Sequence, residues 1–216
     1  MSHHPHLSCI VFLISLCLAG SGFAIADPEI LEDVRKDSDG NVLYRKSFYR
    51  DAEEKEVLHG LQKSWPENGS VSDSEYHHGH KVWENVTFHG RLYSEFLKEK
   101  DAEGFVREVS FHYHPNGKKF RVEKYKRDPT GLVLLKDGCW ATWNDDGVIR
   151  SEQFYQNDLL EGKWSTWDAD GLKRSETDHV GGQIHGFDKR WSWRGELEWS
   201  KEYKYGRLDG NSDFHD

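Results

Sequence analysis

The chain has 216 residues, a formal net charge of -9, 36% hydrophobic and 31% charged residues, and a mean hydropathy of -0.85. That length suits one or two ordinary domains, and so polar a chain cannot lie mostly within a bilayer. Its 9 Trp, 9 Tyr and 11 Phe exclude a disordered acidic tail, and the acidic balance argues against a general nucleic-acid binder or a protein held to anionic lipid.

The first element is a targeting segment over residues 1–26, expected as an N-terminal signal helix. No Lys, Arg, Asp or Glu precedes Asp27, and the apolar block Cys9 to Leu18 leads into small residues and Ala24-Ile25-Ala26. This is the layout of a signal peptide with an A-x-A site, so cleavage is predicted between Ala26 and Asp27 and the mature chain is expected to be secreted or periplasmic. The rival reading is an uncleaved anchor, because Leu7 to Ala26 is long enough to span a bilayer. Cleavage would remove Cys9 and Cys17, leaving Cys139 alone and no intrachain disulfide.

Residues 27–39 read as a cap or linker, with a short helical cap over Ile30–Val34. A repeat domain is expected over 40–216. Its clearest units are Gly138–Glu161 and Gly162–His185, identical at nine of 24 positions. Gly138, Gly162, Gly186 and Gly210 are spaced 24 apart, as are Trp143, Trp167 and Trp191. Upstream the cadence is looser: Gly60, Trp65 and Gly69 keep the same offsets, Tyr113 and Gly117 keep the last of them, and Gly40 and Gly90 mark weaker copies.

The structural glycines Gly69, Gly117, Gly147, Gly171 and Gly195 follow turn residues, as in Asp145-Asp146-Gly147 and Pro115-Asn116-Gly117. Asn-Gly and Asp-Gly are strong hairpin signals. On each side lie short runs rich in Trp, Tyr, Phe, Val and Thr, such as Trp140–Trp143 and Val148–Tyr155, which read as strands. The predicted fold is all-β: repeated hairpins joined into one extended antiparallel meander. A lone hairpin is marginal in water. A row of Trp143, Trp167 and Trp191 along one face supplies the missing burial, since a buried Trp removes roughly 150–250 Å² from water, on the order of 4–6 kcal/mol at about 25 cal/mol per Å². The open edges are expected to be blunted by charged Asp27–Arg35 and polar Asn211–Asp216.

The pattern G-x4-W-x3-G, followed by Glu with an aromatic and then a second Gly, resembles the MORN-repeat-variant family. Bacterial members of that family are grouped as YwqK-type antitoxin-like proteins. The likeness covers about Gly40 to Gly210 and is best over Gly138–Gly210. It implies hairpin arrays used for binding or scaffolding, with no catalytic residues and no cofactor to carry over.

Other chemistry fares less well. His77-His78-Gly79-His80, with His89, His112 and His114, invites a metal reading, yet neighbouring strand histidines point to opposite faces and the cluster falls at a turn. No metal site is assigned. Glu152 and Glu176, with Arg150 and Arg174, recur at equivalent positions, which suits cross-strand ion pairs better than a catalytic dyad. The equivalents of Cys139 are Lys163 and Phe187, which argues against a nucleophile. Asn68-Gly69-Ser70 and Asn85-Val86-Thr87 match the N-glycosylation pattern, which matters only in a eukaryotic host.

Trp140 and Trp164 stand an odd number of residues from Trp143 and Trp167, which places the two sets on opposite faces. One set is expected in the core. The other would be an exposed row able to stack on sugars, peptides or cations. The sequence thus reads as an exported, non-enzymatic scaffold with a protein partner, no nucleic acid, and no membrane span after cleavage. Alternatives are a cell-wall or glycan binder using the Trp rows, and an immunity or antitoxin-like protein.

Overall fold

The computed structural model describes residues 29–66, 69–100, 105–128 and 130–214. The expected signal segment, its helix and its cleavage site lie outside the described residues, as does Asn68. The strands, in chain order, begin with β1 (Leu31–Lys36), β2 (Val42–Arg50), β3 (Glu56–Ser64), β4 (Ser70–His77), β5 (His80–Phe88) and β6 (Arg91–Lys100). They continue with β7 (Val106–Tyr113), β8 (Lys119–Arg127), β9 (Leu134–Lys136), β10 (Gly138–Trp143), β11 (Ile149–Gln156) and β12 (Leu159–Leu160). The last are β13 (Gly162–Trp167), β14 (Lys173–Val180), β15 (Gln183–Trp191), β16 (Leu197–Lys204) and β17 (Arg207–Phe214). No helix among the described residues is long and apolar enough to cross a membrane.

These strands form one 17-stranded antiparallel sheet, an open meander in which neighbours in sequence are neighbours in space. Two rungs are interrupted. β8 pairs with β9 through Tyr125–Arg127 and with β10 through Arg121 and Val122. The break between them is Asp137, whose N–H still donates to the Lys124 carbonyl at 3.1 Å. β11 likewise pairs with both β12 and β13 around Glu161. Counted this way, the 17 strands make 15 rungs.

Antiparallel alternation sends every second turn to the same end of the sheet. At one end the turns close on glycine. The Gly147 N–H donates to the Asn144 carbonyl at 2.9 Å, and Asn144 Oδ1 accepts from the Val148 N–H at 2.8 Å. Asp168 repeats this with Leu172 at 2.9 Å, and Ser192 with Glu196 at 3.2 Å. Gly69, Gly117, Gly147, Gly171 and Gly195 all lie at this end with φ of 80, 85, 84, 85 and 83°. That left-handed backbone is the glycine position of a three-residue hairpin loop with a bulge. The register slips there, Thr142 facing Ser151 but Trp143 facing Ile149. The opposite end has two-residue turns such as His78-Gly79, Asn157-Asp158 and Tyr205-Gly206, each with positive φ at both positions.

Among the described residues the sheet is one layer, with no second sheet to bury a face. Among the described residues the buried apolar side chains are Phe48, Val122 and Ala141. Small polar residues fill the strand centres: Ser74, Ser165, Ser175 and Thr177 are buried. Ala141 and Ser165 hold the same place in successive units, facing Glu152 and Glu176. Beside them the hydroxyls of Thr142 and Ser151 bond at 2.8 Å, and those of Thr166 and Ser175 at 2.6 Å. The repeated Thr and Ser therefore mark hydrogen-bonded cross-strand rungs.

The segment expected as a helical cap is strand: Leu31–Lys36 is β1, paired along its length with β2. A stretch this short gains little as an isolated helix, whereas the edge of β2 offers backbone partners. Asp33 also accepts the Tyr44 hydroxyl at 2.8 Å. At the other end the strand β17 runs to Phe214, so most of the polar tail is itself an edge strand.

Candidate functional site

Cross-strand pairing settles which rings share a face. Trp140 faces Gln153 and Trp164 faces Thr177, on the side of Thr142 and Thr166. Trp143, Trp167 and Trp191 lie on the other side, with Ala141, Ser165 and Lys189.

On the Trp143 face, Lys173 of β14 sets its ammonium 5.4 Å from the ring centre of Trp167 and 5.9 Å from that of Trp191. It also bonds Glu176 at 2.5 Å, and Lys163 bonds the same carboxylate. Burial alone would raise the Glu176 pKa, but these two ammonium groups more than offset it and hold it below the usual carboxylate range. The expected partner Arg174 takes no part in this pair, and its Nη1 is buried without a hydrogen-bond partner among the described residues. In the preceding unit the position of Lys163 is Cys139, whose thiol lies 3.7 Å from Glu152. Burial, then the Glu152 charge, raises that thiol's pKa, which disfavours the thiolate. Upstream, Lys63 lies over Trp65 at 5.4 Å, and the Tyr113 hydroxyl donates to Glu95.

On the Trp140 face, Trp140 packs edge-on against Tyr125 and Tyr155, with ring centres 5.0 and 5.6 Å away, and its indole N–H donates to the Lys124 carbonyl at 2.8 Å. Lys136 covers the cluster, 4.5 Å from Trp140 and 4.8 Å from Tyr155. Trp164 is more open, 38% exposed, with His179 at 6.2 Å. The third unit breaks the row: its equivalent residue is Asp188, buried and bonded by the Thr177 hydroxyl at 2.8 Å.

The histidines divide by place. His78 sits in the tight turn after β4, where its ring meets His59 at 4.9 Å and Tyr49 at 5.8 Å, while His77 bonds Glu75 at 3.0 Å. His114 bonds the Trp143 carbonyl at 3.0 Å. Burial lowers the His112 pKa, and Arg121 adds to that. No group of three or more His, Cys, Asp or Glu positioned for a metal occurs among the described residues. Asn85 lies mid-strand in β5, opposite Asp73 and Glu95.

Lys173, Lys136, Tyr125 and Tyr155 complete these clusters, and sequence reading did not single them out. Lys173 falls where the neighbouring units have Ile149 and Leu197, so periodicity carries no signal for it.

Residues 136–157 match the MORN repeat variant family. They span the end of β9, all of β10 and β11, and the turn joining β10 to β11, where the glycine loop and the Trp143 position are both present. Among curated proteins none matches the chain.

Proposed function

We propose that this chain is an exported, non-catalytic repeat protein that holds a protein partner on the broad face carrying Trp143, Trp167 and Trp191. The observation behind this is the exposure of Leu61 at 63%, Leu97 at 42%, Phe154 at 40% and Phe187 at 44%. All four lie inside strands and on that same face. Leu61 continues through Glu75 and Trp83 to Leu97 in one cross-strand row, and Phe154 faces Cys139. Apolar side chains held at the solvent along a rigid sheet characterise contact surfaces. Repetition of structural residues, without one converging reactive set among the described residues, favours binding over chemistry. Export rests on the segment Leu7 to Ala26 and its A-x-A site.

The test is affinity capture from extract of the source cells, with the wild-type chain and a Phe154→Ser/Phe187→Ser variant compared by mass spectrometry. Specific proteins held by the wild type and lost by a folded variant support the reading. Capture of nothing, or of the same set by both, overturns it.

A second reading is favoured by Trp164, exposed on the other face in line with Trp140: a glycan or cell-wall ligand stacking on those rings. Peptidoglycan sedimentation and a glycan array, with Trp140→Ala and Trp164→Ala as controls, distinguish the two. An immunity or antitoxin-like role rests on the family resemblance alone, and a toxic neighbouring gene would be its mark.

A further inference from the structure

We infer that β1 is a self-complementary edge through which two copies of this chain join into one continuous sheet. In the ladder β1 pairs with β2 on one side, and no other strand among the described residues pairs with it. Its sequence is Leu31-Glu32-Asp33-Val34-Arg35-Lys36, acidic before Val34 and basic after it.

Direction decides which edges can meet. The sheet has 15 rungs, an odd number, so β1 and β17 run the same way. Head-to-tail stacking of copies would therefore join β17 to β1 in parallel. A two-fold axis normal to the sheet joins β1 to β1 antiparallel, the pairing used by every rung within the chain, and gives a closed pair.

Charge then selects the register. Directly opposed residues must share a face, so the axis must pass beside a single residue of β1. Centred on Asp33, the pairing sets like carboxylates against each other. Centred on Arg35, it sets guanidinium against guanidinium. Centred on Val34, it sets Asp33 opposite the second copy's Arg35, and Glu32 opposite its Lys36. The exposed Val34 then meets its own counterpart. Two-fold symmetry doubles both ion pairs. Opposite charges directly across a strand pair stabilise it, and like charges destabilise it.

The side chains are placed for this. Leu31, Asp33 and Arg35 share the face of Phe48, Lys46 and Tyr44, while Glu32 and Val34 lie on the other. Glu32, Arg35 and Lys36 are exposed, and Val34 is 38% exposed. The pairing of β1 with β2 slips once, between Arg35 and Lys36, but the extra residue, Leu43, lies on β2 and leaves the alternation along β1 intact. At the far edge the irregularity lies on the edge strand itself: β17 carries Gly210 at φ 95°, and its pairing with β16 slips between Lys201 and Tyr203.

The test uses the full chain in sedimentation velocity across concentration and salt. The wild type is expected to form a dimer that weakens as salt rises. Glu32→Lys places ammonium groups opposite Lys36, and Lys36→Glu places carboxylates opposite Glu32. Each single variant should dimerise roughly tenfold or more weakly than wild type. An equimolar mixture of the two should pair again, because one variant then brings only ammonium groups to these two positions and the other only carboxylates. Far-ultraviolet circular dichroism confirms that each variant is folded. If one is not, concentration-dependent amide exchange over residues 32–36 in the wild type replaces it. A wild type that stays monomeric up to about 100 μM, association insensitive to the reversals, or a mixture that fails to pair overturns the inference.

Discussion

Lys173 stands between two tryptophans of successive units, its ammonium 5.4 Å from the Trp167 ring centre and 5.9 Å from that of Trp191. The same ammonium bonds Glu176 at 2.5 Å. One side chain thus ties β13, β14 and β15 together on a face that no second layer among the described residues covers. Lys173→Met keeps most of the alkyl stem and removes the charge. It is expected to lower stability by about 1–2 kcal/mol in urea denaturation, combining a cation–π contact with an ion pair.

The pH dependence of stability follows from Glu176. Its folded pKa is depressed, so its contribution is complete above the ordinary glutamate range and is lost as pH falls through the folded value. A Lys163→Met/Lys173→Met variant should therefore lose stability at neutral pH and show a flatter acid limb. Denaturation curves from about pH 2 to pH 7 check this, and an unchanged limb counts against the assignment.

Gly186 and Gly195 separate two kinds of glycine. A Cβ at Gly186, where φ is 106°, would lie 3.0 Å from both Cβ and Oδ2 of Asp178, while one at Gly195, where φ is 83°, would meet only Leu172 at 3.8 Å. Gly195→Ala is expected to cost about 1–2 kcal/mol for the left-handed backbone alone. Gly186→Ala should cost more, because Asp178 must also move and its acceptor bond from the Phe187 N–H at 3.0 Å is disturbed. Thermal unfolding of the pair tests the order.

Trp140 and Trp164 should separate stability from binding. Trp140→Ala removes two ring contacts and an indole hydrogen bond, and is expected to cost about 2–3 kcal/mol, below the cost for a fully buried Trp. Trp164→Ala should cost less, its ring being more open. Equal losses in urea denaturation would contradict the difference in packing.

Tyr113 reports on the looser half of the array. Burial, then the bond to Glu95 and its charge, push the phenol well above the ordinary tyrosine range. Its stabilising contribution is present below that range and is lost as pH climbs. Ultraviolet titration should show Tyr113 and Tyr125, which burial also raises, ionising after the other tyrosines, and Glu95→Gln should bring Tyr113 alone back toward them.

The hairpin ladder was legible because its signals are local. Asp145-Asp146-Gly147 and Ala169-Asp170-Gly171 state a turn in a few letters, and Trp and Thr beside them state strands. The strand at Leu31–Lys36 was not legible, because no turn glycine precedes it and its conformation comes from pairing with β2, a contact that local pattern does not encode. The opposite faces of Trp140 and Trp143 followed from strand alternation. The company they keep did not: Lys136 reaches Trp140 across the break at Asp137, and Lys173 has no counterpart at Ile149 or Leu197.

Each 24-residue unit adds two rungs, an upward and a downward strand. Duplication or loss of a unit would therefore leave the polarity of the last strand and the assignment of every side chain to its face unchanged. Gene-level changes in copy number could lengthen or shorten such a sheet without a new solution to folding, whereas insertion of a single strand would reverse everything beyond it.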